Sequence, residues 1–141
     1  MINLPFFLII AVLASASFSV LFNVSKENLV YTTLSGTSTA LIQHILKDHL
    51  SVEFATFIST LYIGVLGHTL AKILNTASQP FIISGIIFLV PGTLIYSGIN
   101  KLFEGNGPEA FSLLISALLT TSSISFALLV ANWLIPRQTQ D

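Results

Sequence analysis

The sequence predicts an all-α membrane protein that crosses the bilayer with five helices, the fourth of them broken or kinked. Of the 141 residues, 53% are hydrophobic and only 8% are charged, about a third of the charged fraction of a soluble domain. The charged residues are grouped between apolar stretches, each close to the ~20 residues that a transmembrane helix needs. We therefore expect a single transmembrane domain over residues 1–141.

The same composition excludes several functional classes. Five Lys and Arg against six Asp and Glu leave a net charge of −1, so no basic cluster exists to bind nucleic acid. The chain has no Cys and therefore no thiolate metal ligand. It contains no Walker lysine motif, no G-x-S-x-G element and no carboxylate inside an apolar stretch beyond its first residue. We predict neither enzyme activity nor a cofactor.

The boundaries of the five spans follow from charges and helix-start signals. Pro5, Pro80 and Pro108 each lie near the beginning of an apolar stretch, where a proline removes no helical hydrogen bond. Residues 105–108, Gly-Asn-Gly-Pro, predict a turn before the last span. The predicted spans cover residues 3–23, 28–46, 54–74, 80–100 and 109–134.

The first span has an alternative interpretation as a secretory signal peptide. Its apolar core ends on Ala14-Ser15-Ala16, which fits a small-x-small cleavage site. However, no Lys or Arg precedes the core, and apolar residues continue to Phe22. We therefore expect residues 1–16 to be retained in a membrane helix.

The positive charges predict the orientation of the chain. With five spans, Lys26, Lys72 and Arg137 lie on one side of the membrane, and Lys47 and Lys101 lie on the other. The side richer in Lys and Arg is usually cytoplasmic. We therefore expect an external N-terminus and a cytoplasmic C-terminus.

Hydroxyl side chains are concentrated in the second and fifth spans. Thr37 and Ser38 lie in the Thr- and Ser-rich middle of the second span. In the fifth, hydroxyls recur at steps of four, four and three and share one helix face: Ser112, Ser116, Thr120 and Ser123. Such a face lines a solute path, or it forms a close helix–helix contact in which each hydroxyl bonds to the preceding turn. The sequence leaves both interpretations open.

The fourth span contains Pro91-Gly92 near its middle. Pro91 cannot donate to the carbonyl of Ile87, and its ring crowds that turn, so we predict a kink or break. A break at this depth is tolerated only against protein or water, and transporters use such breaks at substrate sites. A purely structural kink is the alternative.

His68 is the one ionisable side chain that lies well inside a predicted span. It is a candidate for proton coupling, although a packed histidine bonded to a polar neighbour is the alternative. His44 and His49 flank the end of the second span, and the three histidines lack nearby Cys or paired carboxylates. We therefore predict no metal site.

Several short elements occur in a recognisable order along the chain. They are Phe22-Asn23-Val24 at the end of the first span, Thr56-Phe57 in the third, and Pro91-Gly92 followed by Tyr96 in the fourth. In this order and spacing, residues 18–137 resemble the small transmembrane half of the threonine/serine exporter family. Ser25 stands where the family usually has Pro, and Phe88 stands where the first Pro of P-x-x-P-G is expected.

The resemblance implies a subunit of a secondary exporter in the cytoplasmic membrane of a prokaryote. Such an exporter uses the proton motive force to move threonine, serine or a small carboxylate. The partner would be a larger membrane subunit with a soluble N-terminal region. On this hypothesis the solute path runs between spans two, four and five, and His68 is the coupling candidate. Its expected contacts are Pro91, Gly92, Tyr96, Thr37, Ser38, Thr120 and Ser123.

Two other functions are compatible with the same residues. A non-transporting scaffold that stabilises a larger partner would use the hydroxyl faces for packing alone. A small pore would conduct solute without a proton gradient. The sequence does not identify the solute, because hydroxyls and backbone carbonyls suit many small polar molecules.

Overall fold

The computed structural model describes residues 4–135, which form six α-helices without strands. The helices are α1 (Leu4–Leu21), α2 (Leu29–Leu46), α3 (Val52–Leu74), α4 (Gln79–Ile86), α5 (Gly92–Phe103) and α6 (Gly107–Leu134). The bounds of α1, α2, α3 and α6 agree within two residues with four of the predicted spans. The start of the first predicted span at residue 3, and Arg137, lie outside the described residues.

The predicted count of five membrane spans is wrong. In residues 4–135, three helices, α1, α3 and α6, are long and apolar enough to cross a membrane. α2 has 18 residues, but its hydroxyl-rich middle makes it too polar to qualify as an apolar span. The fourth predicted span is divided into α4, with 8 residues, and α5, with 12. These two helices are about 12 and 18 Å long, and each is shorter than the ~30 Å bilayer core.

α3 is the central helix of the bundle. It packs against α2, α4 and α6, while α2 also packs against α1 and α4. α5 has its main interface with α6. Consecutive helices run antiparallel, except that α5 continues in the direction of α4. The loops at 22–28 and 75–78 therefore lie at one end of the bundle, and the loops at 47–51 and 104–106 lie at the other. The two halves of the interrupted helix therefore join different neighbours, α4 in the interior and α5 on α6.

The interior consists mainly of small and hydroxyl side chains. Larger apolar side chains buried there are Ile63, Phe81, Leu89 and Ile124. The outward faces of α1 and α6 carry large apolar residues, among them Phe6, Leu13, Phe111, Leu118, Phe126 and Trp133. This distribution is the one expected in a bilayer, where lipid solvates large apolar side chains and small residues allow helices to approach closely.

Gly36 marks the closest approach of α2 to its neighbours. A Cβ at Gly36 would overlap with Ser15 Oγ of α1 and would lie 2.8 Å from the backbone oxygen of Ser84 in α4. Gly85 of α4 is similarly confined, since a Cβ there would lie 2.5 Å from Ile63 Cγ1 and 3.0 Å from Thr39 Oγ1. The two glycines therefore set the spacing between α1, α2, α3 and α4.

Three loops have a residue in the left-handed conformation at their first or second position. Asn23, Asn75 and Gly105 have φ values of 54°, 48° and 79°. After Asn23, the N–H of Val24 donates to Ser19 O at 3.1 Å, and the N–H of Asn23 donates to Val20 O at 2.9 Å. This pair of bonds is a Schellman motif that satisfies the last carbonyls of α1. The family-like Phe22-Asn23-Val24 element is thus the C-terminal cap of α1.

We expect Gly36→Ala to lower the free energy of unfolding by about 1–3 kcal/mol, because the added methyl overpacks the contact with Ser15 and Ser84. Gly107→Ala is the matched control, since no atom lies within 4 Å of a Cβ at that position. Thermal unfolding of the purified variants in detergent would measure both. Equal stability of Gly36→Ala and wild type would contradict the assigned packing.

Candidate functional site

The interruption between α4 and α5 begins before Pro91. α4 ends at Ile86, and residues 87–91 form a turn. The last bonds tighten to an i to i−3 pattern: Phe88 N donates to Gly85 O at 3.3 Å, and Leu89 N donates to Ile86 O at 2.7 Å. Pro91 is the N-cap residue of α5. The predicted break at Pro91-Gly92 is confirmed, and it includes Phe88 although no proline stands at that position.

The interruption leaves backbone carbonyls without hydrogen bonds. Pro91 has no N–H to offer Ile87 O, and Gly92 N donates instead to Val90 O at 2.8 Å. As a result, the carbonyls of Ile87, Phe88 and Leu89 accept no hydrogen bond from residues 4–135. In a membrane protein such carbonyls need water, protein or a ligand as a partner.

Four helices contribute buried polar side chains, which we call together the hydroxyl core. It consists of Ser15 of α1, Thr32, Ser35, Thr39 and Gln43 of α2, Thr56, Ser59 and Thr60 of α3, and Ser84 of α4. The Thr32 carbonyl joins three helices, because it accepts from Ser15 Oγ at 3.3 Å and from Ser84 Oγ at 3.1 Å. Gln43 Nε2 donates to Thr56 Oγ1 at 2.9 Å and joins α2 to α3.

Most hydroxyls of α2 and α6 bond to their own helix. Thr37 Oγ1 donates to Thr33 O at 2.8 Å, and Thr120 Oγ1 donates to Ser116 O at 2.8 Å. These bonds match the packing interpretation of the hydroxyl faces.

Three polar atoms of the hydroxyl core have no hydrogen-bond partner in the described part of the chain. They are Gln43 Oε1, Ser59 Oγ and Thr60 Oγ1. Gln43 is 4% exposed, and Ser59 and Thr60 are 0% exposed. Because buried polar atoms are almost always paired, these three atoms are available to accept a hydrogen bond.

The residues predicted from the sequence fall into separate places. Pro91 is buried, whereas Gly92 and Tyr96 are exposed, Tyr96 to 74%. Thr37 and Ser38 are half-buried on α2, and Ser38 accepts a bond from Tyr62 OH at 3.2 Å.

The α6 candidates lie on the other side of the bundle from the α2 candidates. Thr120 is buried and Ser123 is half-buried on α6. Gly98 of α5 lies against Leu114 of α6, so antiparallel packing brings Thr120 to about the level of Pro91. α3 packs against both α2 and α6, and it therefore separates the two hydroxyl groups.

His68 lies at the contact between α3 and α6. Its Nε2 is 2.6 Å from Asn132 Oδ1, and it donates this bond because the amide oxygen can only accept. The ring is half-buried. The predicted proton-coupling residue is thus hydrogen-bonded to a polar neighbour. Along α3 it lies more than one helical turn beyond Ile63, on the side away from the interruption.

The sequence patterns alone do not single out Gln43, Ser59, Thr60 or Ser84. For Ser59 and Thr60 the available signal is spacing, because Thr56, Ser59, Thr60 and Ile63 recur at intervals of one to four residues along the buried side of α3. This pattern predicts a buried face, but it does not identify which hydroxyls lack a partner in the fold.

An all-helical apolar bundle with an interrupted helix beside a buried polar group defines a membrane protein of the transporter type. Comparison with known families agrees with this class. The family model described as "Threonine/Serine exporter, ThrE" matches residues 7–134. The chain belongs to this family of exporters.

A curated relative extends the comparison. An uncharacterized protein of Haemophilus influenzae is 27% identical over 150 residues, an alignment that covers 98% of this chain and 50% of the relative. The chain thus spans about half the length of that relative. No solved structure matches the chain significantly.

We expect substitutions at a paired and at an unpaired hydroxyl of α3 to have different effects on stability. Thr56→Val removes the acceptor of Gln43 Nε2 and leaves a buried amide unpaired, so we expect a loss of about 1–3 kcal/mol. Thr60→Val removes an atom with no protein partner, and we expect stability equal to or above that of wild type. Thermal unfolding in detergent would measure both. A larger loss for Thr60→Val than for Thr56→Val would refute the assignment of partners.

Proposed function

We propose that this chain is one half of a secondary exporter that moves small polar metabolites out of a prokaryotic cell. The substrates are threonine, serine or a small carboxylate, and the proton motive force drives their export. Membership of the exporter family supports the transport class. The observation that carries the proposal is the α4–α5 interruption, which leaves the carbonyls of Ile87, Phe88 and Leu89 without a hydrogen bond from residues 4–135. Transporters bind solutes at such discontinuous helices.

In this proposal α1, α3 and α6 cross the membrane in contact with lipid, whereas α2 and the α4–α5 segment lie at membrane depth and are covered by protein. α2 can remain at membrane depth because its hydroxyls donate to its own backbone, as Thr39 does to Ser35 O. Its Thr32 carbonyl accepts from Ser15 of α1 and Ser84 of α4, and its Gln43 amide donates to Thr56 of α3. The N-terminus is external and the C-terminus cytoplasmic, in accordance with the distribution of Lys and Arg.

The proposed solute path passes the interruption. Pro91 holds the break open, and Gly92 leaves free space beside it, since no atom lies within 4 Å of a Cβ there. Thr120 and Ser123 of α6 border the α5 side of the break, whereas Thr37 and Ser38 lie on α2. Tyr96 is exposed one turn beyond Gly92 and is positioned to gate the path.

The proposed partner is a larger membrane subunit of the same family with a soluble N-terminal region. The α5–α6 hairpin is the surface that would receive it. α5 exposes Tyr96 and Phe103, the latter to 87%, beside the exposed polar residues Thr93, Ser97 and Asn100. A face that mixes polar and aromatic groups is poorly solvated by lipid. The curated relative, which is about twice as long, has room for a second half in one chain.

His68 is the proposed proton-coupling residue of this half. The apolar helices carry no carboxylate apart from Glu53 and Glu109 in the first turns of α3 and α6. A histidine is the side chain whose ordinary pKa lies in the range where a membrane proton gradient acts. Its bond to Asn132 at 2.6 Å links α3 to α6, so a change of its charge would act on the contact between these helices.

A scaffold that stabilises a larger partner is the second candidate function. It is favoured by the intrahelical bonds of the α2 and α6 hydroxyls, for example Thr120 to Ser116 O and Ser123 to Leu119 O. A scaffold does not require carbonyls without hydrogen bonds, however. If the helix became continuous at Pro91, a scaffold would keep its function. The two functions therefore differ in their response to one substitution. A small pore, in turn, would conduct without a proton gradient.

We expect Pro91→Ala to reduce threonine export at least tenfold while the protein level in the membrane stays unchanged. Alanine supplies the missing N–H and removes the ring clash, so the helix can continue through residues 87–91 and the unbonded carbonyls can accept helical hydrogen bonds. Efflux of preloaded radiolabelled threonine from a complemented deletion strain would measure this. Pro80→Ala is the control, because Pro80 lies in the first turn of α4. Wild-type efflux in Pro91→Ala would favour the scaffold.

We expect His68→Gln to abolish gradient-driven export while solute exchange across the membrane continues. Glutamine keeps a donor for Asn132 but does not titrate. Proteoliposomes with and without an imposed pH gradient would separate the two activities, and His49→Gln in the exposed loop before α3 is the control. If His68→Gln still accumulates solute against a gradient, coupling resides in another residue or in the partner.

A further inference from the structure

We propose that Phe7 and His44 form a pH-responsive contact between α1 and α2, which restrains export when the medium outside the cell is acidic. The two rings stack with their centroids 4.5 Å apart and their planes inclined by 22°. The inference rests on the proposed export function and on the orientation given there. It adds regulation at a place that the proposed solute path does not use.

The contact belongs to a regular line of contacts between α1 and α2. Residues four apart share a helix face, and the two faces that meet here consist of Phe7, Ala11 and Ser15 on α1 and of Gly36, Ala40 and His44 on α2. Ser15 lies against Gly36, and Phe7 lies against His44. Antiparallel packing therefore pairs the two alanines, which are buried. The Phe7–His44 pair ends this line of small residues, and it alone in the line contains an ionisable side chain.

The two ends of this line are held by different interactions. At one end, Ser15 Oγ donates to the Thr32 carbonyl at 3.3 Å, and neither group titrates. At the other end, ~12 Å further along α1, the stacked rings make the contact. A change in the charge of His44 therefore acts on one end of the α1–α2 contact while the other end stays bonded.

Protonation of His44 strengthens the contact. Stacking places the ring of His44 over the face of Phe7, and the negative face of an aromatic ring attracts a cation. His44 also lies in the last turn of α2, where the partial negative charge of the helix end favours a positive group. An imidazole ordinarily changes its charge between about pH 5 and 8. The contact is therefore tighter at acid pH than at neutral pH.

Few charged groups surround His44. The described residues of α1 and α4 include no ionisable side chain, and at this end α3 contributes Glu53 in its first turn. The loop after α2 contributes Lys47, Asp48 and His49, all exposed, and no ion pair within residues 4–135 includes His44. Lys47 and Asp48 follow His44 by three and four residues and act on its charge with opposite signs. The neighbouring ring and the helix end therefore decide which form is favoured.

The position of His44 determines which compartment it senses. It is half-buried and directly precedes the exposed loop at 47–51, which lies outside the cell in the proposed orientation. His44 therefore equilibrates with external protons. Transport by alternating access requires one group of helices to move against another, and a tighter contact between α1 and α2 opposes this motion. The restraint limits the loss of solute when a steep proton gradient would otherwise drive export fastest.

The test compares wild type with Phe7→Leu, which removes the ring beneath His44, and with His44→Phe, which keeps a stacked ring without a titrating group. His49→Gln is the control, because His49 is exposed in the loop at the same end. Melting temperatures of the full chain in lipid nanodiscs are measured at about pH 5.5 and about pH 7.5. Exchange of threonine is measured in membrane vesicles of the complemented deletion strain, with the same pH on both sides so that no proton gradient acts.

We expect acidification to raise the melting temperature of wild type relative to Phe7→Leu and His44→Phe, by about 3 °C or more. Exchange by wild type should be at least about threefold slower at the acid pH than at the neutral pH. In His44→Phe the two exchange rates should be nearly equal. His49→Gln should respond to pH as wild type does in both measurements.

Each contrary result has a defined meaning. An equal effect of acidification on the melting temperatures of wild type and of either Phe7→Leu or His44→Phe overturns the pH-responsive contact. Loss of the response in His49→Gln overturns it as well. The same ratio of acid to neutral exchange in wild type and His44→Phe overturns the regulation. If the melting temperatures follow the expectation while wild-type vesicles exchange no threonine at either pH, the contact stands and the proposed export function fails.

Discussion

The structure depends on how closely α2 approaches α1 and α4. Gly36 makes this approach possible, and the Thr32 carbonyl stabilises it by accepting hydrogen bonds from Ser15 and Ser84. In a bilayer no hydrophobic force drives one apolar helix against another, so packing and interhelical hydrogen bonds have to supply the association energy. A side chain at Gly36 would separate the three helices and break both bonds. The position of α4, and therefore of the interruption that follows it, depends on this contact.

The interior and the surface of the bundle follow from the same constraint. Small residues and hydroxyls occupy the helix contacts, while Phe, Leu, Ile and Trp face outward. This arrangement leaves α5 in an unusual position. It packs mainly on α6, and it exposes both polar and aromatic groups, including Asn100 and Phe103. Neither water nor lipid alone solvates such a face well, and it is therefore on this hairpin that we propose a second membrane half to pack.

The interruption connects the fold to the proposed function. Pro91 prevents the helix from continuing, and the preceding turn leaves three carbonyls without a hydrogen bond from residues 4–135. Leaving polar groups without partners at membrane depth is unfavourable, and these carbonyls are the reason why we propose the interruption as part of the solute path. The hydroxyls of α2 and α6 contribute differently. Their bonds to their own backbone allow polar residues at membrane depth and close packing of helices.

The sequence by itself determined the helical class, four of the helix ranges to within two residues, the break at Pro91-Gly92 and the exporter family. These features are local: apolar runs, a proline without an N–H, and short motifs at fixed spacing. Only the tertiary structure decided that α4 and α5 join different neighbours and that α3 separates the hydroxyls of α2 from those of α6. It also decided that Ser59 Oγ, Thr60 Oγ1 and Gln43 Oε1 have no hydrogen-bond partner among residues 4–135. The physical reason is that a hydroxyl in a helix can bond to its own preceding turn, to another helix or to a ligand. The sequence of that helix is the same in all three cases, and the choice is made by the helices packed against it.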